Sequence, residues 1–167
     1  HDLVNNVIYN WNDTAGEIKF AAAAVSVGEA AGEAVITLSR TGGAAEGVTV
    51  DVLVTDVTTT VDDDYSITAE TVEFAAGETT ATFTLTINDD DASEGDETLQ
   101  LLLTNPIGGA TLGRGTNVIV TIVDNEVSFQ LSAESYTVNE AGPAVVVTVT
   151  RSGPTTGTST VTLSTTD

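Results

Sequence analysis

From Ala81 to Ile87 the chain alternates without a break. Ala81, Phe83, Leu85 and Ile87 fall on one face, and Thr82, Thr84 and Thr86 on the other. A helix would scatter these apolar side chains around its circumference, whereas an extended strand puts all of them on one side. Val48–Val54 repeats the pattern with one exception, and Val118, Val120 and Ile122 repeat it again. Gly-rich or Asp-rich stretches separate such segments, and no window of about 12 residues carries a helical stripe. The spacing predicts an all-β fold, an antiparallel β-sandwich of about seven strands. The strands are expected near 18–27, 34–40, 48–55, 65–74, 80–87, 97–104 and 117–123.

An internal repeat bounds the organisation. The run Glu29–Arg40 aligns with Glu140–Arg151 at an offset of 111 residues, which also brings Val27 onto Val138, Gly42 onto Gly153 and Val50 onto Val161. The expected division is an N-terminal extension or tail of a preceding domain at 1–17, a complete unit at 18–126, and the first strands of a second unit at 127–167. A start at His1 is expected of a trimmed or excised piece.

Charge narrows the functions. With 25 acids against 4 bases, the 167-residue chain carries a formal charge of −21. That excludes phosphate neutralisation by clustered Lys and Arg, hence nucleic-acid binding, and argues against docking on anionic lipid. No apolar run approaches the ~20 residues that span a bilayer. Cys and Met are absent and the single His is His1, which removes thiolate chemistry, most soft-metal sites and internal Ser-His or Cys-His catalysis. Carboxylate pairs can hydrolyse glycosides. Here the acids form dense tracts with no sign of a substrate cleft, so no enzymatic activity is expected.

The acids are unevenly placed. Residues 18–126 hold 19 of them, nine in the tracts Asp62–Asp64 and Asp89–Glu97. If strands run up and down in turn, the loops at 28–33, 56–64 and 88–96 and the exit at 124–126 share one end. Glu29, both tracts, Asp124 and Glu126 would then converge, while Arg40 and Arg114 lie near the other end. Like charges so close destabilise the fold unless a cation intervenes. Hard oxygens without His or Cys select Ca²⁺ or Mg²⁺, and the ligand surplus favours Ca²⁺, in two or more ions. A solvated acidic surface is the alternative, with Asp62 and Asp63 as bystanders beside Asp64. The EF-hand pattern is absent, because a loop starting at Asp89 would put Glu94 where Gly is needed and Gln100 where Glu is needed.

Several phrases together carry a resemblance. They are Val27-x-Glu29 with Gly32, Thr37-x-x-Arg40-x-Gly42, Asp64-Tyr65, Val72-x-Phe74-x-x-Gly77-Glu78-Thr79, the run Ile87–Glu97, Leu103-x-Asn105-Pro106, Ala110-x-Leu112-Gly113, and Thr121–Asn125. With these, residues 18–167 resemble tandem Calx-β domains, the first complete and the second cut short. The resemblance implies an immunoglobulin-like sandwich and a Ca²⁺ ligand set. That set is Glu29, Asp64, Asp89, Asp90, Glu94, Glu97 and Asp124, with the backbone carbonyl of Ala92. Where the family often continues with aspartates, Asn125 and Glu126 follow Asp124. Asn5–Trp11 is similar to a phrase of right-handed β-helix pectate lyases.

The expected function is a Ca²⁺-binding structural or adhesion module of a larger extracellular, bacterial repeat protein. Ca²⁺ would stiffen the domain and the joint with adjacent repeats or neighbouring copies. The alternatives are an accessory module of a secreted polysaccharide-degrading enzyme and a subunit of a strand-complemented filament. Tyr65, Phe74 and Phe83 are expected in the core. Arg40 and Arg151, at one repeat position, are expected to pair with a local carboxylate or to pack their stems.

Overall fold

The computed structural model describes residues 15–142 and 144–166, so the Asn5–Trp11 phrase lies outside the described residues. Ten strands build two five-stranded sheets. The first sheet is ordered β5-β7-β3-β1-β9, from β1 (Glu17–Phe20), β3 (Glu33–Thr41), β5 (Tyr65–Ile67), β7 (Thr80–Ile87) and β9 (Thr111–Leu112). The second is ordered β2-β10-β8-β4-β6, from β2 (Ala24–Gly28), β4 (Val48–Asp56), β6 (Thr71–Phe74), β8 (Glu97–Ile107) and β10 (Asn117–Val123). Most neighbours are antiparallel, but β1 pairs with β9 and β2 with β10 in parallel. The expected all-β sandwich stands.

Two expected strands are in fact broken. The segment expected at 18–27 is β1 in one sheet and β2 in the other, and the segment expected at 65–74 is β5 and β6, again in opposite sheets. The physical reason is visible in the alternation. Ile18 and Phe20 point into the core on even numbers, whereas Val25 and Val27 pack against it on odd ones. Tyr65 and Ile67 give way in the same manner to Val72 and Phe74. A strand crossing from one sheet to the facing one must reverse which face looks inward, so the apolar phase slips by one residue. Small residues Ala21–Ala23 make the first crossing.

The core lies between the sheets. Ile36, Leu38, Phe83 and Leu85 from one meet Val50, Phe74, Leu99, Leu101, Val118 and Val120 from the other, and all are buried. Tyr65, Phe74 and Phe83 are core residues, as their positions suggested. Arg40 takes the second of its two expected roles, packing its stem rather than pairing with a carboxylate. It is 2% exposed, and its guanidinium caps backbone carbonyls rather than a carboxylate. Nε donates to Ala15 O at 2.6 Å and Nη2 to Glu46 O at 2.7 Å, which ties the entry to β1 onto the end of β3.

Beyond Val123 the repeat is reproduced in register. The strand β11 (Ser128–Leu131) pairs antiparallel with β12 (Val149–Ser152), Ser128 opposite Ser152 and Phe129 opposite Arg151. In the first unit Glu17 lies opposite Thr41 and Ile18 opposite Arg40, the same ladder displaced by 111. These are the first strands of a second unit.

Leu101 sits fully buried on β8, between β10 and β4. Truncating it removes core contacts on both sides. Leu101→Ala is expected to destabilise the fold by about 2–5 kcal/mol, read as a lower midpoint in urea at an unchanged slope.

Candidate metal centre

The end of the sandwich that gathers the acids is built from four chain segments. Gly28 leaves β2 into a short 3-10 turn, Glu29–Ala31, which Gly32 closes at a left-handed φ of 76°. The turn buries the Glu29 carboxylate. The loop after β4 ends at Asp64, whose Oδ2 accepts the Thr60 amide at 2.5 Å. The acidic loop runs between β7 and β8, and β8 begins at Glu97. Asp124 follows β10 and is buried. Its Oδ2 accepts the Gly95 amide and its Oδ1 the Glu126 amide, each at 2.8 Å.

Two groups of three carboxylates result. Glu29, Asp124 and Glu126 each offer an oxygen within 4.8 Å of the others, and so do Asp64, Glu94 and Glu97. Residues from both groups line one small cleft of roughly 10 Å³. Glu29, Asp64, Glu94, Glu97 and Asp124 surround it with Gly95 and Ile122, and no Lys or Arg does. That is about the room of one small sphere.

Five of the expected positions, Glu29, Asp64, Glu94, Glu97 and Asp124, are thus brought together. Asp89, Asp90 and Ala92 lie outside the two groups and are exposed. Asp89 Oδ1 instead accepts the Asn125 side-chain amide at 2.9 Å. The Asp90 carboxylate accepts the Ala92 amide, while its own amide supports Glu29. Glu126 was missing from the expected ligands although up-and-down strand order already put it at this end. The resemblance stopped at Asp124, and the carboxylate two residues on was the usable signal. Asp62 and Asp63 are exposed, and neither is in a group.

The electrostatics record the crowding. Burial, a hydrogen bond with Asp64 and the charges of Asp64, Glu94 and Glu29 push the Glu97 carboxyl up to about 7. Burial, the contact with Asp124 and the charge of Glu29 push Glu126 up to about 7 as well. Glu94 is raised by burial and then by Asp90, Asp64 and Asp124. Glu29 is raised by burial, against the help of its hydrogen bond with Glu126. Asp124 goes the other way. Burial works against its charge, but the Glu126 and Gly95 amides outweigh it and hold the group below the ordinary aspartate value. The carboxyl groups therefore share protons where no cation is available. Glu126 Oε2 is also buried without a hydrogen-bond partner. An all-oxygen donor set with an orphaned, buried carboxylate oxygen fits a hard divalent cation.

The sequence profile of the Calx-beta domain matches residues 12–126 and again 123–167. The chain belongs to the Calx-beta domain family. Among curated relatives it is 31% identical over 121 residues to the adhesion G-protein coupled receptor V1 of Danio rerio, covering 72% of this chain and 2% of the receptor. It is 40% identical over 85 residues to extracellular matrix protein 3 of Lytechinus variegatus, covering 49% of this chain and 3% of that protein. The chain therefore spans only a few per cent of the length of these relatives. Among solved structures, the apo-form Calx CBD1 domain matches with a TM-score of 0.61 and 26% identity, over 65% of this chain and 96% of that one. The two-domain CBD12 of CALX1.2 matches in fold with a TM-score of 0.63 and 24% identity, over 70% of this chain and 48% of that one.

The raised carboxyls give the metal-free protein a definite pH dependence. Glu97 and Glu126 keep a proton up to about 7 when folded but lose it near 4.5 when unfolded. The folded state thus binds more protons between those values, and its stability falls as pH rises through that window. The melting temperature of chelator-treated protein should drop between pH 5 and pH 8, and Glu97→Gln should flatten part of the drop.

Proposed function

We propose that this chain is a Ca²⁺-binding structural and adhesion module of a larger extracellular repeat protein. The observation that carries the reading is the pair of carboxylate groups at one end of the sandwich, with Glu126 Oε2 buried and unpartnered among them. Glu29, Asp124 and Glu126 would hold one ion and Asp64, Glu94 and Glu97 another, with Asp89, Asp90 and the Ala92 carbonyl as outer oxygens. Ca²⁺ takes about 6–8 oxygens in flexible geometry, which loops from four segments can supply together. A bound cation supplies the positive charge that lets all these carboxylates stay ionised. The printed names of the relatives, an adhesion receptor and a matrix protein, support an extracellular setting. Among the described residues no helix is long and apolar enough to cross a membrane.

The reading extends to the joint, placed here between 126 and 127. Glu126 belongs to the first unit's carboxylates, and two residues later β11 opens the second unit. Beside it lies a cavity of about 570 Å³. Ser93, Glu94, Asp96 and Asp124 wall it on one side and Ser128, Ser152, Gly153 and Pro154 on the other. Fixing the Glu126 carboxylate fixes the start of the second unit, so ion binding stiffens the array.

Calorimetric titration of chelator-stripped protein tests the site. Ca²⁺ should bind more tightly than Mg²⁺ and raise the melting temperature. Glu97→Gln and Glu126→Gln should each weaken binding about tenfold or more. No binding at millimolar Ca²⁺ would leave a solvated acidic surface. For the joint, small-angle scattering should report a narrower range of extensions in Ca²⁺ than in EGTA, and identical profiles would remove the stiffening role.

A further inference from the structure

We infer that Asn88 is a positioning residue of the metal centre, whose side chain locks the Asp62–Asp64 loop onto the root of the acidic loop. The inference rests on the reading of this end of the molecule as a Ca²⁺ site.

Asn88 follows β7 directly and lies one residue before the acid tract. A carboxamide nitrogen offers two protons. Asn88 Nδ2 gives them to two successive carbonyls, Asp62 O and Asp63 O, each at 3.0 Å. The Asn88 main-chain amide adds a third bond, to Asp64 O at 3.0 Å. The loop that carries Asp64 is therefore gripped at three consecutive carbonyls by a single residue. The preceding amide, of Ile87, donates to Gly32 O at 3.0 Å, at the end of the turn that bears Glu29. Two adjacent residues thus fix the segments carrying Glu29 and Asp64 relative to the loop carrying Glu94 and Glu97.

The grip is made where it is needed. Asp62 holds a left-handed φ of 73°, a conformation that a non-glycine residue keeps only when its surroundings impose it. Asp64, Glu94 and Glu97 bring carboxylate oxygens within 4.8 Å of one another, so the Asp64 loop needs an anchor when all three are ionised. Asn88 does so with a neutral donor, adding no charge to the cluster. A carboxylate at the same position would add charge but offer no proton to the carbonyls.

That contrast makes the test. Asn88→Ala and Asn88→Asp are prepared in the full chain and titrated calorimetrically with Ca²⁺ at pH 7.5. Metal-free hydrogen–deuterium exchange is followed in parallel. Both variants should bind Ca²⁺ about tenfold more weakly. Amides of residues 57–66 should exchange faster before any metal is added, while those of β8 and β10 keep their protection. A site governed by charge alone would instead make Asn88→Asp the tighter binder. Tighter binding by Asn88→Asp, or Asn88→Ala within about twofold of the unaltered chain, overturns the positioning role while leaving the Ca²⁺ site intact. If the unaltered chain itself binds no Ca²⁺, the site reading falls first and takes this role with it.

Discussion

Mutual repulsion among carboxylates is the constraint around which the acidic end of this molecule is organised. Six of them, from Glu29, Asp64, Glu94, Glu97, Asp124 and Glu126, meet at an end where the cleft is lined by no base. Such crowding is tolerable only on a scaffold that does not yield. Here the scaffold is two facing five-stranded sheets with a continuous apolar interior. The acids sit on the turns and loops at one end of those sheets, held by backbone amides rather than by counter-charges. Asp124 takes two amides, Asp64 takes one, and the Glu29 turn and the Asp64 loop are anchored to the end of β7. The energy of the core is thus spent on keeping like charges together, an arrangement that favours any hard cation able to join them.

The far end shows the opposite solution to the same kind of problem. Arg40 is a buried charge with no carboxylate bonded to its guanidinium nitrogens, Nη1 being left unpartnered and Nε and Nη2 bonded to main-chain carbonyls. Burying an ion is costly unless its hydrogen bonds are met. Arg40 meets most of its own by closing the entry of β1 over the end of β3. A buried guanidinium bonded to main-chain carbonyls and a cluster of carboxylates thus stand at opposite ends of one sandwich.

Much of this is legible in the residues, and each departure has a physical cause. Period-two alternation located the strands because each sheet has one buried face. It also carried the information about sheet switching, since the apolar phase slips from even to odd between Phe20 and Val25, and from odd to even between Ile67 and Val72. Alternation read only as present or absent discards that phase and merges 18–27, and likewise 65–74, into a single strand. The acidic end followed from strand order alone, because alternate loops must share an end. What strand order cannot give is depth. Asp89 and Asp90 stand in the same tract as Glu94 and Glu97, but only the latter two join a carboxylate group. Asn125, which follows Asp124, turns out to donate to Asp89, a pairing set by loop conformation and invisible to spacing.

The joint between units shows how one backbone position can serve two neighbours. The repeat places Glu126 at the counterpart of Ala15, two residues before the first strand of its unit. Ala15 contributes a carbonyl, which Arg40 holds, and a methyl group packed against the core. Glu126 occupies the same position for the second unit while lending its carboxylate to the first. No Gly- or Ser-rich linker separates the two, and none could do so without detaching that carboxylate from the strand that follows it. A flexible insert after Glu126 would leave the six acids in place but uncouple them from the second unit. The short passage from Asp124 to Ser128 is what couples the acidic end to the second unit. Under the proposed Ca²⁺ reading, a cation ligated there would restrain the orientation of the next repeat.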